Sequence, residues 1–530
     1  MAQEDTPLSG YRLESDCLGE MAVPDKALYG IQTQRAIRNF PITGVRISHY
    51  PDFIKSLAAI KKASALANER LGLLDAEKAG AIAAACDLLL SGRHCGQFRV
   101  DVIQGGAGTS TNMNANEVIA NLALEILGRK RGEYAHLHPN NHVNLSQSTN
   151  DVYPTAIRLT LITMGRRLIA AMGRLCAALE VKGREFAHII KIGRTQLQDA
   201  VPMTLGQEFS AWAVMLGEDK KRLVEAMDLV REINLGGTAI GTGLNAVEGY
   251  APLAVALLSE ISGRRMILAE NLVEATQDAG AYVQFSATLK RTAVKLSKIC
   301  NDLRLLSSGP RCGLGEIRLP EMAPGSSIMP GKVNPVIPEV VNQIAFQVIG
   351  ADLTVTLAAE AGQLELNAME PVLAHSLFSS LLLLRKGCLV LAEKCVKGIT
   401  ADEARCKSFV DQSMGLATAL SPHVGYETAA KVALSALSRG VTVAQAARDM
   451  LGWDETRLAE TLSPEAMLQP SQPKREYFCY TADGGSVVAF KDGLPGGQDG
   501  PGCPDGRDGR NGQKGRTASG GRKKKGGGAS

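Results

Sequence analysis

The amino-acid sequence predicts a mainly α-helical protein. Three stretches place apolar side chains at spacings of three and four residues, which is the pattern of a helix with one buried face. Strand-like alternation is rare before residue 471, and aromatic residues make up only 4% of the chain. Helices this apolar are expected to pack as a bundle. The three stripes are Leu161, Met164, Leu168, Met172, Leu175 and Leu179; Phe285, Leu289, Leu296, Ile299, Leu303 and Leu306; and Leu377, Leu381, Leu384, Cys388, Leu391 and Cys395.

A short polar loop holds the densest group of candidate functional side chains in the sequence. Residues 325–335 read G-S-S-I-M-P-G-K-V-N-P, and their glycines and prolines forbid a regular helix. Ser326 and Ser327 offer hydroxyls, Lys332 a cation and Asn334 an amide. A helical pattern follows at once, so the loop is predicted to lead into a helix N-terminus, where free N–H groups and the dipole favour an anion.

Three further polar strings lie upstream. Residues 105–116 read G-G-A-G-T-S-T-N-M-N-A-N, residues 146–155 read S-Q-S-T-N-D-V-Y-P-T, and residues 193–209 read G-R-T-Q-L-Q-D-A-V-P-M-T-L-G-Q-E-F. All are rich in hydroxyls and amides and poor in charge. Many neutral donors can hold a dicarboxylate without the desolvation cost of several buried cations. Ser148 and Thr149 precede a helical pattern, so helix capping is an equally open role for them.

Taken together, the four strings resemble the signatures of the fumarase/aspartase superfamily. Its members make or break a C–N or C–O bond beside a carboxylate and release fumarate. The resemblance runs over about residues 13–470 and implies three mainly α-helical domains around a long central bundle, with no counterpart for the C-terminal segment. The implied boundaries are 1–149 for the N-terminal domain, 150–400 for the central bundle, 401–470 for a small C-terminal helical domain and 471–530 for an unassigned segment.

The resemblance also implies a role for each polar position. Ser326 is expected to be the base that removes the Cβ proton, provided that its anion is stabilised. The implied substrate contacts are Thr109, Ser148, Thr149 and Ser327 on the β-carboxylate, Lys332, Asn334 and Thr195 on the α-carboxylate, and Asn150 and Gln196 near the amino group.

Two positions favour one branch of the superfamily over another. Members that hydrate fumarate typically have serine at the position of Thr149 and histidine at the position of Gln196. Both differences point to the branch that releases ammonia from L-aspartate. Gly331 is common in the hydrating branch, although glycine also occurs in the other. A fumarate hydratase, or a catalytically inactive structural relative, therefore stays open as an alternative.

The resemblance carries expectations about assembly and cofactors. Family members are homotetramers whose active sites each draw residues from three subunits, and they act on small molecules, here L-aspartate, fumarate and ammonium. No organic cofactor is expected, and activation by a divalent cation is left open. The segment His138 to Asn141 resembles the family's H-P-N-D segment but lacks the acid, and no metal site is predicted there.

Composition limits the remaining function classes. The chain has 530 residues with a net charge of +4, but residues 491–530 alone carry +5, so the rest is nearly neutral and gives no argument for nucleic-acid binding. The N-terminus is acidic without an apolar run, and no stretch approaches the roughly 18 apolar residues of a membrane helix. A cytoplasmic enzyme is expected. The Gly-rich tail is predicted to be disordered, and the 11 cysteines contain no C-x-x-C pair.

Overall fold

The computed structural model describes residues 10–468, 478–480 and 487–489. The chain divides into two compact units, Met1–Pro470 and Ser471–Ser530. The first unit is mainly α-helical, as predicted, and contains all of the predicted site residues. The tail that is predicted to be disordered, residues 491–530, lies outside the described residues.

The N-terminal part of the first unit contains a hairpin and four helices. The two strands of the hairpin are antiparallel, with Leu13 opposite Ala22. Helices α2 and α3 pack against each other, and α4 packs on α3. The elements are β1 (Tyr11–Asp16), β2 (Gly19–Pro24), α1 (Ile31–Asn39), α2 (Pro51–Arg70), α3 (Ala76–Leu90) and α4 (Thr109–Ile126).

Five long helices form the bundle in the centre of this unit. Helix α5 packs on α6 and α11, while α10 packs on α9 and α11. In chain order the elements are α5 (Thr149–Glu185), β3 (Ile190–Thr195), β4 (Gln198–Thr204), α6 (Leu205–Leu229), β5 (Glu232–Ile233), α7 (Tyr250–Ser262), β6 (Ile267–Leu268), α8 (Leu272–Gln277), α9 (Gly280–Leu306), β7 (Ile317–Arg318), α10 (Val336–Glu360) and α11 (Glu370–Lys394).

The three predicted stripes lie on α5, α9 and α11 and face the interior of the bundle. Each of their side chains is at most 5% exposed, including Cys395, which caps the end of α11. The predicted helices and their buried faces are therefore confirmed. Burial of this much apolar surface is the main force that holds the bundle together.

Smaller helices complete the first unit. They enclose a second cluster of buried apolar side chains, which includes Val410, Leu420 and Val432 and to which β3 contributes Ile192. Whether the unit falls into three domains at the predicted boundaries stays a prediction. The elements are β8 (Thr400–Ala401), α12 (Glu403–Gln412), α13 (Ser421–Val424), α14 (Tyr426–Arg439), α15 (Val443–Leu451) and α16 (Glu455–Thr461), followed in the second unit by the antiparallel pair β9 (Phe478–Tyr480) and β10 (Val487–Ala489).

Helix α10 leaves an apolar face exposed. Phe346, Leu353 and Leu357 are 61%, 62% and 59% exposed on it. By length and hydropathy alone, Val336–Glu360 and Glu370–Gly398 would each suffice to cross a membrane. The expectation that no stretch approaches this composition was wrong, because a bundle helix that contacts neighbours on several sides needs a similarly apolar sequence.

Candidate functional site

The N-terminus of α5 is held by a double cap. The Ser148 hydroxyl accepts a hydrogen bond from the Asn150 N–H at 3.2 Å, and the Ser148 N–H donates to the Asp151 carboxylate at 3.0 Å. The other Asp151 oxygen accepts from the N–H groups of Gly236 and Thr238 at 3.0 and 3.1 Å. Burial raises the pKa of Asp151 to about 6, although these hydrogen bonds oppose the shift. The cap therefore fixes the start of α5 against the 236–238 segment.

The next two residues of α5 are oriented by neighbouring amides. The Thr149 hydroxyl accepts a hydrogen bond from Asn112 Nδ2 at 3.1 Å, and this threonine is only 9% exposed. The Asn150 side chain donates to the carbonyl of Ala239 at 2.7 Å, while the backbone carbonyl of Asn150 accepts from the side-chain amide of Asn234. Both side chains are thus placed by contacts with other segments.

The start of α4 lies beside the start of α5. Asn112, in the first turns of α4, makes the hydrogen bond to Thr149 that joins the two strings 105–116 and 146–155. Thr109 opens the same helix and is exposed, but its hydroxyl donates to the carbonyl of Gly106 at 2.7 Å. In this conformation the Thr109 proton is already used, so only its lone pairs face outward.

A buried amide network lies behind Thr149, and the sequence reading missed it. The side-chain oxygen of Asn144 accepts three hydrogen bonds, from Lys61 Nζ at 2.8 Å, Asn112 Nδ2 at 3.2 Å and Asn116 Nδ2 at 3.1 Å. Lys61 is fully buried, and burial lowers its pKa to about 7 while the charge of Asp151 opposes the shift. The sequence feature that could have revealed this network is the position of Lys61 on the apolar face of α2.

The hairpin of β3 and β4 presents Thr195 and Gln196 at its turn. Both are exposed, and Gln196 has a φ of 54°. Below the turn, the fully buried carboxylate of Glu316 pairs with Arg194 at 2.8 Å and with Lys191 at 3.2 Å. A buried carboxylate between two cations anchors the hairpin to the segment before β7, because leaving either charge unpaired would be costly.

The hydroxyl of Ser326 receives two backbone hydrogen bonds. The N–H groups of Ile328 and Met329 donate to Ser326 Oγ at 3.1 and 2.9 Å. Donors aimed at a hydroxyl oxygen stabilise its deprotonated form more than its neutral form. This is the kind of contact that a serine base requires.

The rest of the loop folds back on itself. Asn334 Nδ2 donates to the carbonyl of Gly325 at 2.6 Å, and the Gly325 N–H donates to the carbonyl of Lys332 at 2.8 Å. The side chains of Ser327 and Lys332 are exposed. The loop is therefore a closed turn in which Ser326 and Asn334 are half-buried, and it leads into α10 as predicted.

The structure brings some of the predicted residues together and leaves others apart. Thr109, Ser148, Thr149 and Asn150 gather where α4 and α5 begin. Among the described residues, no hydrogen bond or ion pair joins the 325–335 loop to this group or to Thr195 and Gln196. None of the predicted site residues lines the cavity of about 630 Å³, which is formed by side chains of α5, by Glu393 of α11 and by Lys397.

In the segment from His138 to Asn141, the histidine side chain accepts hydrogen bonds from the segment's own backbone. His138 Nδ1 accepts from the N–H groups of Asn140 and Asn141 at 3.0 and 3.3 Å, and His142 Nδ1 accepts from the His138 N–H at 2.8 Å. Within residues 10–468, 478–480 and 487–489, no group of three or more His, Cys, Asp or Glu side chains could hold a metal ion.

Comparison with protein families and curated proteins gives extensive similarity. Residues 19–350 match a family described as "Lyase", and residues 416–469 match one described as "Fumarase C C-terminus". The chain is 58% identical to aspartate ammonia-lyase of Pseudomonas fluorescens over 87% of its own length and 97% of the relative. It is 55% identical to aspartate ammonia-lyase of Helicobacter pylori over 88% of its length and 99% of the relative.

Solved structures give the same picture. A crystal structure described as fumarate lyase:delta crystallin from Brucella melitensis bound to cobalt is 58% identical and has a TM-score of 0.85, covering 87% of this chain and 100% of that one. A recombinant class II fumarase from Schistosoma mansoni is 35% identical with a TM-score of 0.83, covering 86% and 99% of the two chains.

Proposed function

This chain belongs to the fumarase/aspartase superfamily of lyases, and we propose a mechanism by which it acts as an aspartate ammonia-lyase. It catalyses the reversible deamination of L-aspartate to fumarate and ammonia. The single observation that carries this function is the identity of 50–58% to several curated aspartate ammonia-lyases over 87–88% of the chain. Thr149 and Gln196, which favoured this branch from the sequence, agree with it.

The group at the start of α4 and α5 is suited to the β-carboxylate. Removal of the Cβ proton of aspartate places extra negative charge on this carboxylate, so donors that strengthen at that moment lower the barrier. The hydroxyls of Ser148 and Thr149 already accept a hydrogen bond each, which leaves their protons available for a ligand. The positive end of α5 adds a favourable field.

Ser326 is the base in this proposal. A serine hydroxyl removes a proton at neutral pH only if its anion is stabilised, and the N–H groups of Ile328 and Met329 supply that stabilisation. Lys332, Asn334 and Thr195 would hold the α-carboxylate, with Ser327 on the β-carboxylate and Gln196 near the amino group. The steps are proton transfers and elimination of ammonia, for which no organic cofactor is needed.

The active site in this proposal is shared among the subunits of a homotetramer. Two features of a single chain support it. The 325–335 loop makes no hydrogen bond to the other predicted site residues in the described part of the chain, and α10, which follows the loop, exposes an apolar face. Exposed apolar patches of this kind mark protein interfaces. A second copy of the chain would cover that face and bring its own polar group to the loop.

The activity is tested by following fumarate through its ultraviolet absorbance. Purified protein is expected to release fumarate and ammonia from L-aspartate, and to consume fumarate only when ammonium is present. Rapid conversion of fumarate to malate in water, without activity on aspartate, would reverse the assignment in favour of a hydratase. No activity in either direction would favour an inactive structural relative.

A further inference from the structure

Lys61 is a buried lysine whose role in the reaction is not evident from the amino-acid sequence. Its side chain is fully buried on α2, and Asn144 Oδ1 is its one hydrogen-bond partner among the described residues. No carboxylate lies within ion-pair distance of it in that part of the chain, in contrast to the neighbouring Lys62, which pairs with Asp87. A buried lysine without a paired anion is costly, so a local role in folding alone explains it poorly.

The amine of Lys61 helps to fix which way the surrounding amides point. It donates to the oxygen of the Asn144 side chain at 2.8 Å, and in its charged form it can only donate. The other end of that amide donates to the carbonyl of Gln147 at 3.2 Å, which requires the same orientation. Because Asn144 therefore presents its oxygen, Asn112 and Asn116 must both turn their NH2 groups toward it.

Asn112 in turn determines the orientation of the Thr149 hydroxyl. Its NH2 group has two protons, one directed at Asn144 Oδ1 and one at the Thr149 hydroxyl oxygen at 3.1 Å. A threonine inside a helix often donates its proton to the carbonyl four residues earlier, but Thr149 is the first residue of α5. No hydrogen bond donated by its hydroxyl occurs among the described residues. The Thr149 proton is thus directed away from Asn112.

We propose that Lys61 is a positioning residue that, through Asn144 and Asn112, holds the Thr149 hydroxyl as a donor toward the substrate carboxylate. This rests on the proposed role of Thr149 in binding that carboxylate. The lysine touches no substrate itself. It sets the direction of a chain of hydrogen bonds whose last proton faces the ligand, so the threonine needs no reorganisation when charge develops on the carboxylate.

Two matched substitutions test the direction of the chain. Asn112→Asp replaces the donor to Thr149 by an acceptor, so the Thr149 proton turns inward and kcat/KM for L-aspartate should fall about 10-fold or more, as for one lost hydrogen bond to a charged group. Asn144→Asp removes the hydrogen bond to Gln147 but keeps an acceptor facing Lys61, Asn112 and Asn116, and should lose clearly less. Asn121→Asp, a buried change on the same helix that contacts Leu28 and Tyr134, controls for a buried carboxyl group.

A double-mutant cycle tests the role of Lys61 itself. Lys61→Met should lower kcat/KM about 10-fold in the wild-type background and have little further effect in Thr149→Val, since the hydroxyl on which it acts is then absent. Equal losses in the two backgrounds, or an Asn144→Asp loss as large as that of Asn112→Asp, would overturn the inference.

The same series separates this inference from the proposed function. If Thr149→Val leaves kcat/KM unchanged, and also leaves unchanged the inhibition by succinate, a non-reacting dicarboxylate with the same carbon chain as fumarate, the proposed role of Thr149 fails first. If Thr149→Val impairs both but Lys61→Met impairs neither, only the positioning role of Lys61 fails. Thermal unfolding of each variant identifies a loss of activity that comes from a loss of folded protein, and the Asn112→Asp arm remains informative if Lys61→Met does not fold.

Discussion

The start of α5 and the 325–335 loop contribute the same kinds of groups but are built in opposite ways. Thr149 is 9% exposed and its hydroxyl is oriented by Asn112, which is itself buried. Ile328, beside the serines of the loop, is 82% exposed. The side chains at the start of α5 are fixed by other segments before any ligand arrives. In the described part of the chain, the hydrogen bonds of the loop's polar side chains run to residues of the loop itself.

This difference indicates that the two regions are suited to different roles. Preorganised donors cost no reorganisation during the reaction, which suits the group that meets the developing charge. A loop held by its own hydrogen bonds can move as a unit without losing them, which suits a segment that closes over the substrate. We expect substitutions at the start of α5 to act through packing as well as chemistry, and substitutions in the loop to act mainly on chemistry.

The largest effect is expected at the proposed base, Ser326. Ser326→Ala should lower kcat by at least about 10²-fold, the lower end for a positioned proton-transfer group, and change substrate affinity much less. Its thermal unfolding should match that of the wild type, because the loop contributes little buried surface. Ser438→Ala, on α14, is a matched control. Turnover close to normal in Ser326→Ala would remove this serine from the mechanism.

Lys332→Ala should have the next largest effect, on binding. The α-carboxylate would lose a charge-assisted partner worth about 1.5–3 kcal/mol, so KM should rise about 10-fold or more. Lys431→Ala removes an exposed lysine from α14 and controls for the change in net charge. An unchanged KM in steady-state kinetics would show that Lys332 faces solvent in the complex as well.

Two glycines sharpen the comparison in terms of stability. Gly108 has a φ of 88°, and a Cβ there would lie 2.3 Å from the Tyr153 ring, whereas Gly331 has a φ of 78° with nothing within 4 Å of the added Cβ. Gly108→Ala should cost about 3 kcal/mol or more of unfolding free energy, from strain and overpacking together, and Gly331→Ala about 1 kcal/mol. Urea unfolding of both measures the difference, and similar losses would contradict it.

The smallest effect is expected from the C-terminus. Deletion of residues 491–530 should leave kcat, KM and the mass of the assembly unchanged, because a Gly-rich segment has too little apolar surface to hold subunits together. Light scattering and steady-state kinetics measure both. Dissociation of the truncated protein would show that this segment takes part in assembly.

The sequence predicted those parts of the molecule that depend on local pattern. The stripes on α5, α9 and α11 follow from helical periodicity, and capping could be foreseen as one of two roles for Ser148 because it is decided by neighbouring residues. The Lys61 network was missed because it joins α2, α4 and the segment before α5, which are far apart in the sequence. The same holds for the hairpin below Thr195, which depends on the distant carboxylate of Glu316.

The exposed face of α10 shows the other limit of sequence reasoning. Its periodicity predicts an apolar helix but does not distinguish a side that meets its own chain from a side that meets another copy. Phe346 and Leu353 are therefore understood only once the other bundle helices are in place. The proposed sharing of the active site depends on this distinction.

The measurement that tests this account most directly is complementation between two impaired variants. Thr149→Val removes a hydroxyl from the preorganised group, and Ser326→Ala removes the proposed base from the loop. If the two regions meet across subunits, mixing the variants under conditions where subunits demonstrably exchange should produce fumarate at a rate that neither variant reaches alone. Exchange without any gain in activity would contradict the account, since it would mean that both regions of a site come from one chain.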